Sequence, residues 1–118
     1  EVSKPSATEL EHMQAVAELP CVCCGARCDE LHHPRSLFLG CGTGLKAPHW
    51  CVIPLCKKHH DDYHRLGNGP WEQRYGSQVD LMVAVWAKTR LTPEKMFEGL
   101  SGKPLARLQR IVEAVGTT

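Results

Sequence analysis

The chain has 118 residues and a formal net charge of +1, so it is short enough to be one domain whose buried core is marginal and for which a metal staple is welcome. That balance excludes a strongly basic nucleic-acid coat, and no apolar run approaches the ~20 residues of a membrane span, so no membrane partner is expected. Seven cysteines, an odd number crowded among histidines, point away from a secreted disulfide framework and toward metal-bound thiolates in a reducing, cytoplasmic interior.

No signal peptide opens the chain, and a first residue Glu1 in place of Met sets the expectation that residues precede it in the complete protein. Ser6-Ala7-Thr8-Glu9 is a capping box, and Leu10, Met13, Val16, Ala17 and Leu19 keep helical spacing as far as Pro20. Cysteine and glycine from Pro20 to Cys28 imply a tight metal knuckle. Glu30-Leu31-His32-His33 reads as a short strand stopped by Pro34, and residues 35–50, with Gly40-Cys41-Gly42-Thr43-Gly44 and Pro48, as a loop. Cys51-Val52-Ile53-Pro54-Leu55 is β-like and leads into a histidine-rich helix that ends near Gly67-Asn68-Gly69-Pro70. Two or three helices follow: Val79 to Lys88, one started by Thr92 as N-cap with Pro93 behind it, and Leu105 to Val115. There is no internal repeat. The whole reads as a single α+β domain over residues 1–118, with a core at about 20–68 and helical flanks at 6–19 and 79–115.

The segment Cys56-Lys57-Lys58-His59-His60-Asp61-Asp62-Tyr63-His64 places two ligand sets on one helix. At about 100° per residue, His59 and His60 point into different sectors, whereas His60 and His64 stack on one face. Cys56 and His59 are spaced like Cys21 and Cys24, and two such pairs make a closed tetrahedral Cys₃His zinc site. Cys23 or Cys28 can take the place of Cys24 in this reading, and buried free thiols are the plainer alternative. His32 and His33 with His60 and His64 form a second constellation, provided the strand ends or distorts at Pro34 so that neighbouring histidines can share a site. Three neutral imidazoles can hold a divalent ion with positions open to water and phosphate, while the fourth serves as general base. The alternative is an ordinary exposed histidine set.

From His32 to Arg74 there are six Lys/Arg (Arg35, Lys46, Lys57, Lys58, Arg65, Arg74) against three acids (Asp61, Asp62, Glu72). Arg35, Lys46, Lys57, Lys58 and Arg65 suit a sugar-phosphate backbone, with a solvated helix face as the alternative. The glycine-rich loop ending at Lys46 can offer N–H groups to a phosphate or be just a turn. Trp50 and Trp71 read as core, Cys41 and Cys51 as free thiols, and Asp61 and Asp62 as complements to the helix N-terminus.

The order Cys-x-x-Cys, His-His, loop, Ile-Pro-Leu-Cys-x-x-His-His-x-x-x-His resembles the HNH, or His-Me finger, endonucleases, whose ββα-metal unit holds the catalytic cation. The flanks (His12-Met13-x-x-Val16-Ala17-x-Leu19-Pro20 before, His64-Arg65-x-Gly67 with Trp71 after) are similar to the phage and prophage group that includes the RecA-dependent recombination-enhancement nuclease. The resemblance covers roughly residues 10 to 90. It implies that His33 is the general base, that His32, His60 and His64 surround a catalytic Mg²⁺ or other divalent cation and the scissile phosphate, and that the cysteines with His59 hold structural Zn²⁺. Where such proteins usually carry an Asn that orients the base, nine residues before the helix histidine, this chain has Cys51, and His49 is the nearest polar candidate for that role. The expected function is metal-dependent hydrolysis of DNA, tolerant of sequence and linked to recombination, with DNA and a recombinase such as RecA as partners. The alternative is a non-catalytic zinc-binding module that docks DNA or protein.

Overall fold

A computed structural model of the chain describes residues 4–35 and 47–115. It is a small α+β fold, mostly helical, with one two-stranded sheet. Helix α1 (Ala7–Ala17) starts at the capping box: Ser6 Oγ accepts from the Glu9 N–H at 3.2 Å and Glu9 returns a bond to the Ser6 N–H at 2.8 Å. Its buried positions are His12 and Val16, one turn apart on the face that meets the core.

After α1 the chain makes the expected knuckle, closed by Gly25 N–H donating to Cys21 C=O at 2.9 Å. Gly25 sits at φ 78°, a left-handed conformation that glycine adopts without steric cost. Strands β1 (Glu30–His32) and β2 (Ile53–Leu55) pair antiparallel, with Leu31 opposite Pro54 and His32 opposite Ile53. Pro54 has no N–H to give, yet its carbonyl accepts from Val22 at 3.1 Å and so fastens the knuckle to the sheet.

The β-like run expected from Cys51 is shorter than that. His49–Cys51 form a 3-10 turn, closed by Cys51 N–H to Pro48 C=O at 3.0 Å, and only Ile53–Leu55 pair with β1. Helix α2 (Lys57–Leu66) then carries the histidines. Asp61 and Asp62 do not complement its N-terminus, because the helix already begins at Lys57 and both lie beyond the first turn. Asp61 pairs with Lys57 at 3.1 Å, and Asp62 with Lys58 at 3.3 Å and Arg65 at 3.0 Å. The acid at the helix start is Asp29, whose Oδ2 accepts the Lys57 N–H at 2.8 Å.

Gly67 at φ 86° separates α2 from α3 (Asn68–Tyr75), a helix absent from the sequence expectation. Its Asn-Gly-Pro start reads as a breaker, but these residues occupy the first turn, where N–H groups lack intrahelical partners and proline is tolerated. Trp71 secures α3 by donating its indole N–H to the His59 carbonyl at 3.1 Å. Helices α4 (Gln78–Thr89), α5 (Pro93–Phe97, with Thr92 Oγ1 accepting from Lys95 N–H at 3.2 Å) and α6 (Gly102–Val115) complete the fold. The last starts three residues before the expected Leu105, its first turn again admitting a proline, Pro104.

All three residues of β2 are buried, and α1 and α4 pack against that strand with Val16, Met82 and Val85 in the core. Trp50 and Trp71 are core residues, 2% and 0% exposed, and Trp86 donates its indole N–H to the Trp50 carbonyl at 2.7 Å. No helix among the described residues is long and apolar enough to cross a membrane.

Candidate metal centre and histidine pocket

Cys21 and Cys24 come from the knuckle, while Cys56 and His59 stand at and just inside the start of α2. Their ligand atoms all lie within 4.8 Å of one another. Cys24 and Cys56 sulfurs are 3.8 Å apart, the edge of a tetrahedron with Zn–S bonds of ~2.3 Å, which is about 3.8 Å. His59 Nδ1 faces Cys56 Sγ at 3.1 Å and Cys21 Sγ at 3.9 Å, and Cys23 N–H donates to Cys21 Sγ at 3.4 Å. Burial raises the Cys21 thiol, but N–H groups of Cys56, Cys23 and Cys24 aimed at the sulfur outweigh that and leave its pKa below the usual value. Donors of this type and spacing fit a structural zinc ion.

The choice among the crowded cysteines falls on Cys24. Cys23 is not in the cluster, and burial followed by its neighbouring thiols pushes its pKa up to about 12. Cys28 is likewise raised by burial and donates its S–H to the Glu30 carbonyl at 3.4 Å. Cys51 is buried, and Cys41 with the glycine-rich loop through Lys46 lies outside the described residues.

The second set lines a pocket of about 240 Å³: His32, His33, His60 and His64 stand there with Arg35, named from the sequence as a phosphate contact, and with Glu30 and Tyr63, which the sequence reading passed over. Strand β1 ends at His32, so His33 leaves the strand's alternation and both reach the same space. Glu30, two residues before His32 in the strand, shares its face, a period-two signal that was available in the sequence. Glu30 Oε1 is 3.3 Å from His60 Nδ1, and the His60 and His64 rings meet edge to face at 4.7 Å. His33 Nε2 is 3.1 Å from His49 Nδ1, so one of those nitrogens carries the shared hydrogen. His32 is 4% exposed, and burial pulls its pKa down to about 4 against the opposing pull of its hydrogen bond to the Gln78 amide oxygen. It is neutral at pH 7.

Among the described residues the convergence of ligand atoms seen at the cysteine cluster is not repeated in this pocket, where no three His, Cys, Asp or Glu ligand atoms gather in that way. The basic residues are mostly engaged: Lys57, Lys58 and Arg65 pair with acids of their own helix, and Arg35 lines the pocket. Asp62, which Tyr75, Arg65 and Lys58 hold well below the usual carboxylate range, ties α2 to α3 through Tyr75 Oη at 2.9 Å. Gln78, Asn68 and Glu72 behind the pocket also went unread, because their partners are set by tertiary packing.

Fold and clusters define a small α+β domain organised around a Cys₃His metal-type site, with a histidine pocket on the same helix. The chain belongs to the DUF968 family, described as a protein of unknown function, whose model matches residues 4–91 and so spans both clusters. It is similar to the protein called Uncharacterized protein YdfU of Escherichia coli (strain K12), with 43% identity over 63 residues. That match covers 53% of this chain and 18% of the relative's length. No solved structure matches the chain.

Proposed function

We propose that this domain is a divalent-metal-dependent endonuclease of the HNH, or His-Me finger, type, stapled by Zn²⁺ and hydrolysing DNA phosphodiester bonds. One observation carries the reading: a strand, an antiparallel partner strand and a helix follow in order, and the end of the first strand and one face of the helix put four histidines into one pocket. A cation held among His32, His60 and His64 would supply positive charge to the scissile phosphate. His33 would take the proton of the attacking water. For that its shared hydrogen must lie on Nε2 and point to His49, so that His49 holds the ring while Nδ1 accepts. Arg35, at the pocket wall, opposes a phosphate. Under this reading DNA is the substrate, a recombinase such as RecA the partner, and the cytoplasm the setting.

The test is nicking of supercoiled plasmid by zinc-loaded protein with added Mg²⁺ or Mn²⁺. Cleavage should require the added cation, and His33→Ala at saturating cation should cut roughly 10²–10⁴-fold more slowly while still binding DNA. Zinc-loaded wild type that binds DNA but fails to cut it with any added cation would replace the nuclease by a zinc-stapled DNA-binding module.

A further inference from the structure

Gln78, the first residue of α4, is 0% exposed, yet its amide bonds to the His32–Arg35 segment and to α3 rather than lying among apolar side chains. Its Oε1 accepts the Arg35 backbone N–H at 2.9 Å and its Nε2 donates to the Arg35 carbonyl at 3.1 Å. A backbone N–H can only donate and a carbonyl can only accept, so these two bonds fix which end of the amide is oxygen. The same Oε1 lies 2.9 Å from His32 Nε2. An amide oxygen cannot donate, so Nε2 of His32 must carry the hydrogen, and in the neutral ring the lone pair is then on Nδ1. Gln78 Nε2 also reaches Asn68 Oδ1 at 3.2 Å and Glu72 Oε2 at 3.3 Å, and the Gln78 backbone N–H donates to that carboxylate at 2.9 Å. Asn68 Oδ1 in turn accepts from the Tyr63 hydroxyl.

We propose that Gln78 is the positioning residue of the histidine pocket: it sets His32 in the Nε2–H tautomer, making Nδ1 the atom His32 offers to a ligand, and it clamps the backbone at Arg35, so that His33 is held between two anchored residues. The tautomer half stands on hydrogen-bond geometry alone. The effect on cleavage rests on the nuclease reading above.

Long-range ¹H–¹⁵N correlation of zinc-loaded, ¹⁵N-labelled protein near pH 7 reports which nitrogen of each histidine carries hydrogen. Wild-type His32 should show a single tautomer with Nε2 protonated. Gln78→Leu, or Gln78→Met where leucine prevents folding, should move both His32 nitrogens toward the averaged shifts of a mixed tautomer. Gln78→Glu keeps an oxygen facing His32 and should keep the Nε2–H form, while placing a second oxygen against Arg35 C=O, Asn68 Oδ1 and Glu72. A Nδ1–H tautomer in the wild type overturns the proposal at once. So does an unchanged Nε2–H signal in a folded Leu or Met variant, which would reduce Gln78 to a structural residue. If the domain cuts DNA, the Leu variant should nick ~10–100-fold more slowly with DNA binding retained, as for loss of an outer-shell partner. A tautomer shift in protein that never nicks DNA supports the positioning role and removes the nuclease reading.

Discussion

His12 lies buried against Trp50, ring centroids 5.4 Å apart, with Nε2 meeting no hydrogen-bond partner. Burial, reinforced by the charge of Lys95 and opposed by a hydrogen bond to the Trp50 backbone, keeps its pKa below the ordinary 6.5. In the unfolded chain the ring regains that ordinary value, so below ~6.5 the unfolded form binds more protons than the folded one. The stability from burying a neutral ring is complete above this pH and falls away as pH drops toward the depressed folded value. His32, at about 4, acts in the same direction. His12→Phe keeps a ring against Trp50 and removes the titrating nitrogens. Its melting temperature, at equal zinc content, should fall less than that of the wild type between about pH 7 and pH 5.5. Parallel curves would show that His12 protonates inside the fold as readily as outside it.

Helix α2 is started from outside itself, since Cys56 at its N-cap makes no side-chain cap bond and the Lys57 N–H is taken by Asp29 from across the knuckle. Asp29→Ala should therefore lower the unfolding free energy by ~1 kcal/mol, as for other lost caps, with Asp29→Asn recovering most of it. Chemical denaturation of zinc-loaded protein measures this, and an Ala variant as stable as the wild type would mean that water replaces the carboxylate. The sequence could show α1, because Ser6 and Glu9 form a local capping box, and α5, because Thr92-Pro93 starts a helix by itself. It could place Cys56 and His59 for the same reason: ligand spacing within a turn is local. Asp29 is 28 residues from Lys57 and Gln78 46 from His32, so neither role leaves a trace in nearby residues. Helix α3 was hidden differently. Only Trp71 and Tyr75, one turn apart, signalled it, against an Asn-Gly-Pro start that means a turn in most contexts.

The cysteine cluster joins the knuckle behind α1 to the start of α2, alongside the Val22–Pro54 and Lys57–Asp29 hydrogen bonds. Because binding free energy at such a site is folding free energy, a strong chelator or Cys56→Ala should release about one zinc per chain and lower the melting temperature greatly. Cys23→Ala should keep the zinc, since its thiol is outside the set. Metal content measured beside thermal unfolding checks both, and chelated protein that melts unchanged would show that the apolar core suffices alone. His59 faces the cluster and His60 the pocket, with no residue between them. One residue inserted at that junction would rotate everything after it by about 100° and advance it by about 1.5 Å, carrying His60 and His64 away from β1 or His59 away from the sulfurs. Substitution along this stretch changes one side chain at a time, whereas a change of length uncouples the two clusters at once.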